Sequence, residues 1–318
     1  MANGLPIYAA GSGYHGDNTI HNVRLDRDPR LVVLLKEPGQ KNVLIPNTDG
    51  THANPVEGIP AFWESSAEQK YSTGYALRKG NTPDAGECGN GKASTACPVF
   101  RSVEALLNYI EAYYELNGNL GGHCAEYWTA IRARHTGLDT DFNKTINATD
   151  MSQEAKGDWG AYTAGVVIDA TRYNIRRERR NELMAEGYRW DDLVRWRALD
   201  QMLTTGFHIE GIHLWNANDE MLKYLAQYGS GDNADPVKLK DRLAGIVSKA
   251  SESEYVRPHR GNNSSLVVNG LIWHMAHYLE PLPIKQMMLT APDGSTVSQS
   301  PLYQNPYWPD QPSMPATK

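Results

Sequence analysis

Apolar side chains recur at helical spacing in the middle of the chain. Between residues 100 and 116 they place one apolar stripe along a helix, formed by Val103, Leu106, Leu107, Ile110 and Tyr114. Asn117-Gly118 then supplies a C-terminal stop. A second helix is predicted over residues 124–134, and the short link between the two favours an antiparallel hairpin. Further helices are predicted over residues 170–185, 190–203, 220–228 and 237–250.

The rest of the chain lacks this periodicity. Residues 1–97 are predicted to be loops, except that the apolar run 31–35 fits either a buried strand or a helical turn. Residues 139–165 are predicted to be a polar loop, and 206–217 an irregular segment or hairpin. The pattern predicts a mainly α protein with helical hairpins, long irregular loops and a few short strands. One such hairpin is compatible with a single tetratricopeptide-like unit.

Composition narrows the class of ligand. The chain has 318 residues and a formal net charge of −6, whereas a generic nucleic-acid binder is expected to be basic. It contains 17 Tyr and 8 Trp but 4 Phe. Because Tyr and Trp combine an apolar face with a hydrogen-bonding tip, they suit partly polar ligands such as glycans. A loop-rich extracytoplasmic protein of any function is the plainer interpretation.

The sequence offers no membrane-spanning helix of its own. It has no apolar run of about 18 residues or more, which a bilayer crossing would need. Residues 1–8 lack the charged start and apolar core of a signal peptide. Either the protein is cytoplasmic or its export signal lies upstream of residue 1.

The cysteines and histidines leave few options for cofactors. Cys88 and Cys97 bracket a small loop that closes as a disulfide in an oxidising compartment or carries two free thiols. Cys124 is expected to be a small buried residue at a helix start. His274 and His277 lack an evident third ligand, so we assign no metal and no other cofactor.

Residues 175–199 form an unusual charged segment. Glu178, Glu182 and Glu186 lie on one side of a helix, where they would repel one another without partners. Arginines of the same segment are expected to neutralise them, namely Arg179, Arg180, Arg189 and Arg195. Three aromatic residues are expected to cover the network, namely Tyr188, Trp190 and Trp196. So dense a set of paired charges favours a structural scaffold over a ligand site.

This segment resembles the signature of the SusD/RagB family. The resemblance rests on residues 178–183, 186–193 and Arg195-Trp196. Other segments agree and come in the order found in the family: Arg27-Asp28-Pro29-Arg30-Leu31, Thr73-Gly74-Tyr75 with Arg78-Lys79, Pro98-Val99-Phe100-Arg101, Ile131-Arg132-Ala133-Arg134, Tyr278-Leu279-Glu280-Pro281-Leu282-Pro283 and Gln304-Asn305-Pro306. Each is weak alone, but the ordered set is specific. The chain departs from the pattern where Tyr307-Trp308 replaces the usual Gly.

The resemblance implies a fold, a location and a function. It implies a superhelix of tetratricopeptide-like helix pairs, with residues 1–318 forming a single C-terminal domain. Within it we distinguish a loop-rich segment (1–97), a helical core (98–250) and an irregular end (251–318). Family members are lipoproteins of the outer membrane that cover a SusC-type TonB-dependent transporter and bind oligosaccharides, or peptides in some members. No catalysis is expected, and the lipid anchor would lie upstream of this chain.

Glycan binding is expected on the loops, where an aromatic ring can stack on the C–H face of a sugar. The candidates are Tyr14, His15, Asp17, Asn18, Trp63 and Tyr71, followed by Trp159 and Trp215. For any single loop Trp, packing over a neighbouring loop is the competing interpretation. A peptide-binding protein, a glycoside hydrolase and a helical scaffold remain alternative functions. The hydrolase needs two facing carboxylates, and the sequence establishes no such pair.

Overall fold

The computed structural model describes residues 1–49, 56–62, 70–89, 91–96, 98–258 and 267–317. The α-helices of these residues are α1 (Ile20–Arg24), α2 (Pro29–Leu34), α3 (Ser102–Asn117), α4 (Cys124–Ala133), α5 (Phe142–Asn147), α6 (Met151–Glu154), α7 (Ala170–Glu182), α8 (Tyr188–Arg195), α9 (Glu220–Ala226), α10 (Pro236–Ala244) and α11 (Ile284–Thr290). Two short strands, β1 (Tyr162–Thr163) and β2 (Val166–Val167), pair antiparallel. The mainly helical fold that the sequence predicted is confirmed.

Single 3-10 turns connect several of these helices. They cover Ala85–Glu87, Trp159–Ala161, Asp200–Met202, Ala217–Asp219, Gly231–Ala234, Met275–Tyr278 and Val297–Gln299. None of the described helices has the length and apolar content that a bilayer crossing requires.

Local capping explains where the short helices begin. The Asp28 side chain accepts a hydrogen bond from the Arg30 amide, and Pro29 occupies the first turn of α2. The ambiguous run 31–35 is therefore helical up to Leu34. Asp141 caps α5 in the same way by accepting from the Lys144 amide. This helix and α6 lie within residues 139–165, so the prediction of an uninterrupted polar loop there was wrong.

The long predicted helices are present, with different ends. Helix α3 ends at Gly118, which adopts the left-handed conformation with φ 70°. Helix α8 is shorter than the predicted 190–203, because Arg197 takes a φ of 48° and turns the chain. Pattern alone missed α1, α5, α6 and α11, and it left α2 undecided between a strand and a helical turn. Helices of four to seven residues span at most two turns, too few to show a period.

The described chain forms two compact units. The first contains Met1–Asp150, Asp169–Gly187 and His208–Asn269. Within it α3 packs against both α4 and α7, and α9 packs against α10, so the predicted contact between α3 and α4 is confirmed. Its largest apolar cluster is formed by Ile20, Val23, Leu35, Phe62, Ile212, Leu214, Met221, Leu222, Leu225, Ala226, Leu239, Leu243, Val247 and Val256. Cys124 is fully buried, as expected.

The second unit contains Met151–Ile168, Tyr188–Phe207 and Gly270–Lys318. Its core is formed by Leu193, Trp196, Ala198, Leu199, Met202 and Trp273. An antiparallel bridge joins Phe207 to Leu271 and ties the end of one of its segments to the start of another.

Candidate functional site

A loop near the N-terminus brings an acidic side chain against two residues from far along the chain. Asp17 accepts hydrogen bonds from the Tyr255 hydroxyl at 2.7 Å and pairs with His213 Nδ1 at 2.9 Å. The His213 ring stacks on Tyr255, with centroids 4.6 Å apart. Because both oxygens of Asp17 are held, the carboxylate has a fixed orientation in the first unit.

Two more tyrosines complete this group. The Arg27 guanidinium lies over the Tyr14 ring, 5.5 Å from its centroid. Burial and the charge of Asp17 raise the pKa of Tyr14, and burial, Asp17 and Tyr14 raise the pKa of Tyr75. Burial and the hydrogen bond to Asp17 likewise raise the pKa of Tyr255. All three phenols are therefore protonated donors at neutral pH. We name the tyrosine cluster by its members: Tyr14, Asp17, Arg27, Tyr75, His213 and Tyr255.

A close approach of two backbone segments places Tyr75 in the tyrosine cluster. The Ile212 amide donates to the Thr73 carbonyl at 2.9 Å. Gly211 permits this, since a Cβ built there would lie 2.0 Å from the Thr73 oxygen. Gly74 takes a positive φ of 79°, which turns the chain immediately before Tyr75. Two glycines thus fix the loop that carries Tyr75 beside the segment that carries His213.

Substitution Gly211→Ala is expected to separate these segments and to lower the free energy of unfolding by about 1–3 kcal/mol. The new methyl group would meet backbone atoms, which cannot move aside as a flexible side chain can. Urea unfolding followed by circular dichroism measures the loss. Gly245→Ala is the matched control, because its Cβ would lie 3.7 Å from the nearest atom. Equal midpoints for the two variants would contradict the assigned close approach.

The tyrosine cluster still has hydrogen-bonding capacity for a ligand. The hydroxyls of Tyr14 and Tyr75 make no hydrogen bond to any residue that the structure describes. Arg27 donates to the Val23 carbonyl at 3.3 Å and forms no ion pair within the described ranges. Phenols, a guanidinium and a carboxylate offer donors and acceptors side by side with aromatic faces. This combination suits a ligand that is rich in hydroxyl groups.

Several predicted ligand residues lie close to the tyrosine cluster but have other partners. His15 pairs with Asp26 at 2.9 Å, and Asn18 donates to Glu220 at 3.0 Å. Tyr71 is half-buried, and its backbone bonds to Ala61 and Gly74. Their roles in binding stay predictions.

The three predicted tryptophans fall in different places. Trp215 packs against the apolar core of the first unit, and its indole donates to the Ser248 carbonyl at 2.9 Å. Trp159 belongs to the second unit, where its ring meets Phe207 edge to face with centroids 4.7 Å apart. Trp63 lies outside the described residues. Packing explains the first two positions, and none of the three is tested as a ligand contact.

Sequence reasoning missed four members of the tyrosine cluster, namely Arg27, Tyr75, His213 and Tyr255. Arg27 and Tyr75 belong to segments that carry the family resemblance, but nothing in those segments indicates a ligand site. His213 and Tyr255 lie about 200 residues or more from Asp17 along the chain, and no local pattern connects them. Only the fold brings these side chains together.

The charged helix α7 supplies a second group of polar residues. Glu178 is buried, with 3% of its side chain exposed. One of its oxygens accepts from Arg30 at 2.6 Å, and the other accepts from Arg132 Nε and the Trp128 indole, both at 2.9 Å. Burial opposes its charge, but Arg30, Arg132 and the Trp128 hydrogen bond outweigh it and lower the pKa of Glu178 to about 2.

The other two glutamates of this face differ in burial: the Glu182 side chain is 3% exposed, like that of Glu178, and the Glu186 side chain is 15% exposed. Glu182 accepts from Arg101 at 3.2 Å and Arg134 at 2.5 Å on one oxygen, and from Arg30 at 3.3 Å on the other. Arg101 donates to both oxygens of Glu186 at 2.6 and 2.9 Å, and Lys79 also contacts Glu186. Burial opposes ionisation, but these cations lower the pKa of both carboxyls. We call the three carboxylates and their cations the glutamate network.

The predicted source of the neutralising arginines was wrong. Arg179 bonds to Asn108 at 2.7 Å, Arg189 to Asp158 at 2.7 Å, and Arg195 to Asp192 at 2.9 Å. Neighbouring residues of a helix point about 100° apart, so Arg179 leaves the face that carries Glu178 and Glu182. Arg180 is half-buried on the same helix.

The aromatic residues of the charged segment pack locally. Trp190 and Trp196 belong to the second unit, where the Trp190 and Trp273 ring centroids lie 5.4 Å apart and Arg195 lies 4.9 Å from the centroid of the Trp196 ring.

Of the two loop cysteines, Cys88 is exposed, and its Sγ lies 3.3 Å from the Asp84 carbonyl oxygen. Cys97 lies outside the described residues, so the disulfide stays a prediction.

The cations of the glutamate network come from the very segments that carry the family resemblance. Arg30 belongs to the first, Lys79 to the second and Arg101 to the third, and the fourth contributes Arg132 and Arg134. A model of the SusD family matches residues 1–308. The chain belongs to the SusD family. Searches of curated proteins and of solved structures gave no significant match.

Membership in the SusD family sets the general function. SusD-family proteins are nutrient-binding components of glycan or peptide uptake, and they are associated with the outer membrane. They are binding proteins rather than enzymes. The glutamate network thus links family segments that are far apart in sequence, whereas the tyrosine cluster combines residues from inside and outside those segments.

Proposed function

We propose that this protein binds oligosaccharides at the tyrosine cluster and delivers them to a SusC-type TonB-dependent transporter. The observation that carries the proposal is the convergence of Tyr14, Tyr75 and Tyr255 around the fixed carboxylate of Asp17. We also propose that the protein acts at the cell surface, where a lipid anchor holds it at the outer membrane.

The chemistry of the tyrosine cluster favours a sugar ligand. A pyranose has C–H faces that pack on aromatic rings and hydroxyls that need both donors and acceptors. Tyr14 and Tyr75 have free hydroxyls within the described residues, and Arg27 has N–H donors to spare. The fixed orientation of Asp17 lowers the ordering cost of binding. A peptide is the alternative ligand, and it would use the same donors for its backbone carbonyls.

Isothermal titration with a panel of neutral oligosaccharides and of short peptides tests the proposal. Tyr75→Ala is expected to weaken binding of the preferred oligosaccharide by about tenfold, because it removes a stacking face and a donor. Tyr303→Ala is the matched control, since this residue is 91% exposed. If the titrations show heat of binding for peptides and none for oligosaccharides, the result would favour the peptide-binding function. Release of reducing ends from the oligosaccharides would contradict a purely binding role.

A further inference from the structure

A cavity of about 440 Å³ lies at the outer end of the glutamate network, in the first unit. One wall is apolar and is formed by Pro29, Val33 and Leu34 of α2. The rest of the lining is polar and is formed by Arg30, Lys79, Arg101, Arg134, His135, Thr136, Asn181 and Glu182. Its volume falls within the range of about 300–1,000 Å³ that small-molecule sites occupy.

The charges around this cavity do not cancel. In the described part of the chain, the glutamate network has five cations (Arg30, Lys79, Arg101, Arg132 and Arg134) and three carboxylates, and Asp28, which pairs with Arg30, adds a fourth carboxylate. Among the residues that line the cavity, four are cations (Arg30, Lys79, Arg101 and Arg134) and one is a carboxylate, Glu182, whose side chain is 3% exposed. The Arg134 side chain is 48% exposed, so the excess positive charge of the lining includes an accessible guanidinium.

The unused hydrogen-bonding groups of the lining are mainly donors. A guanidinium has five N–H donors, and Arg134 uses one of them on Glu182 within the described ranges. Lys79 directs two of its three donors to Met184 and Glu186. The Asn181 side chain makes no hydrogen bond to any described residue, so its amide is available too. Donors with excess positive charge select an anion.

We propose that this cavity binds the carboxylate of an acidic sugar residue, a hexuronate in an oligosaccharide ligand. The Arg134 fork matches a planar carboxylate, and Lys79 and Asn181 add donors beside it. The apolar wall at Val33 and Leu34 then faces the C–H surface of the sugar ring. The inference rests on the proposed function for the class of ligand. It adds a second site and selectivity for charged glycans.

The test compares a trigalacturonate with its methyl ester, which has the same rings but no negative charge. Isothermal titration of the full chain is expected to show binding of the acid that is at least about tenfold tighter than binding of the ester. Arg134→Gln is expected to remove this preference. The variant should still fold, because Glu182 keeps Arg30, Arg101 and His135 as partners. Arg172→Gln, which breaks the exposed pair with Glu115, is the matched control.

A second variant acts without touching the glutamate network. Val33 is 66% exposed on the apolar wall, so Val33→Asp adds a negative charge to the cavity at little cost in packing. It is expected to weaken binding of the acid by about tenfold or more, whereas Val33→Thr is not. Equal affinity for acid and ester, or equal losses in Arg134→Gln and Arg172→Gln, would overturn the inference.

Comparing the Tyr75→Ala and Arg134→Gln variants separates binding at the cavity from binding at the tyrosine cluster. If Tyr75→Ala abolishes binding of both trigalacturonate and its ester while Arg134→Gln changes neither, the tyrosine cluster binds glycans and the cavity does not. If the chain binds only peptides with a free C-terminal carboxylate, the proposed function and the sugar assignment both fail.

Discussion

A Glu178→Gln variant is expected to lose about 3–5 kcal/mol of its free energy of unfolding at pH 7. Glu178 is the only carboxylate that Arg132 contacts within the described residues, and 6% of that arginine side chain is exposed. The neutral amide of the variant leaves the Arg132 guanidinium buried without a counter-charge. The NH₂ group of that amide also faces N–H donors, with which it can form no hydrogen bond as an acceptor. Arg30 suffers less, because Asp28 still pairs with it at 2.7 Å.

Urea unfolding at pH 7 measures this loss, with the slope of the transition checked to be unchanged. Glu115→Gln removes the same charge from an exposed pair, 2.8 Å from Arg172, and should cost less than about 1 kcal/mol. If the two variants lose similar stability, Glu178 is not the centre of a buried network.

The glutamate face was predictable from sequence, but its partners were not. Glu178, Glu182 and Glu186 follow the helical period, so their common side is a consequence of geometry. Their cations come from four other segments of the chain, and a helical pattern gives no distance between segments. The family segments did contain this information, because each donates a cation to the same face. Several ordered segments that each contain Arg or Lys, together with one helix that carries Glu at every fourth position, therefore indicate a single network of ion pairs.

The tyrosine cluster illustrates a different limit. Tyr14 and Asp17 were candidates because a ring that can stack on a sugar and a side chain that can bond sugar hydroxyls lie close together on a loop, and both belong to the cluster. His213 was not chosen, since it sits in a segment predicted only as irregular. It pairs with Asp17 across 196 residues, and the backbone contact of Gly211 with Thr73, which depends on the absence of one methyl group, places Tyr75 beside its segment. Such a contact has no signature in composition or periodicity.

The two sites share a physical strategy. Each proposed site fixes a carboxylate with donors from distant segments and leaves other donors unused within the described residues, at Tyr75 and Arg27 in the tyrosine cluster and at Arg134 in the cavity. The side chains are thus positioned before a ligand arrives, and binding costs little conformational entropy. In the glutamate network this positioning depends on charge pairs, so it should depend on pH.

Acidification from pH 5 to pH 2 is expected to destabilise the protein, and Glu178 alone should account for about 3 kcal/mol of the loss. Its pKa is about 2 in the folded chain, against 4.5 as the ordinary value. Since the unfolded chain takes up the proton first as pH falls, the stabilisation is complete above pH 4.5. It disappears as the pH approaches 2. The pKa values of Glu182 and Glu186 are lowered too, which adds to the slope in the same direction.

Urea midpoints measured at intervals between pH 7 and pH 2 test this expectation, and the Glu178→Gln variant is the informative comparison. The variant lacks the titrating group, so its stability should fall less steeply below pH 4.5, and the gap between the two proteins should narrow as the pH drops. Parallel curves would mean that Glu178 has the same proton affinity in both states. The three donors at its oxygens, namely the cations Arg30 and Arg132 and the neutral Trp128 N–H, would then not favour its charge, contrary to their distances of 2.6–2.9 Å.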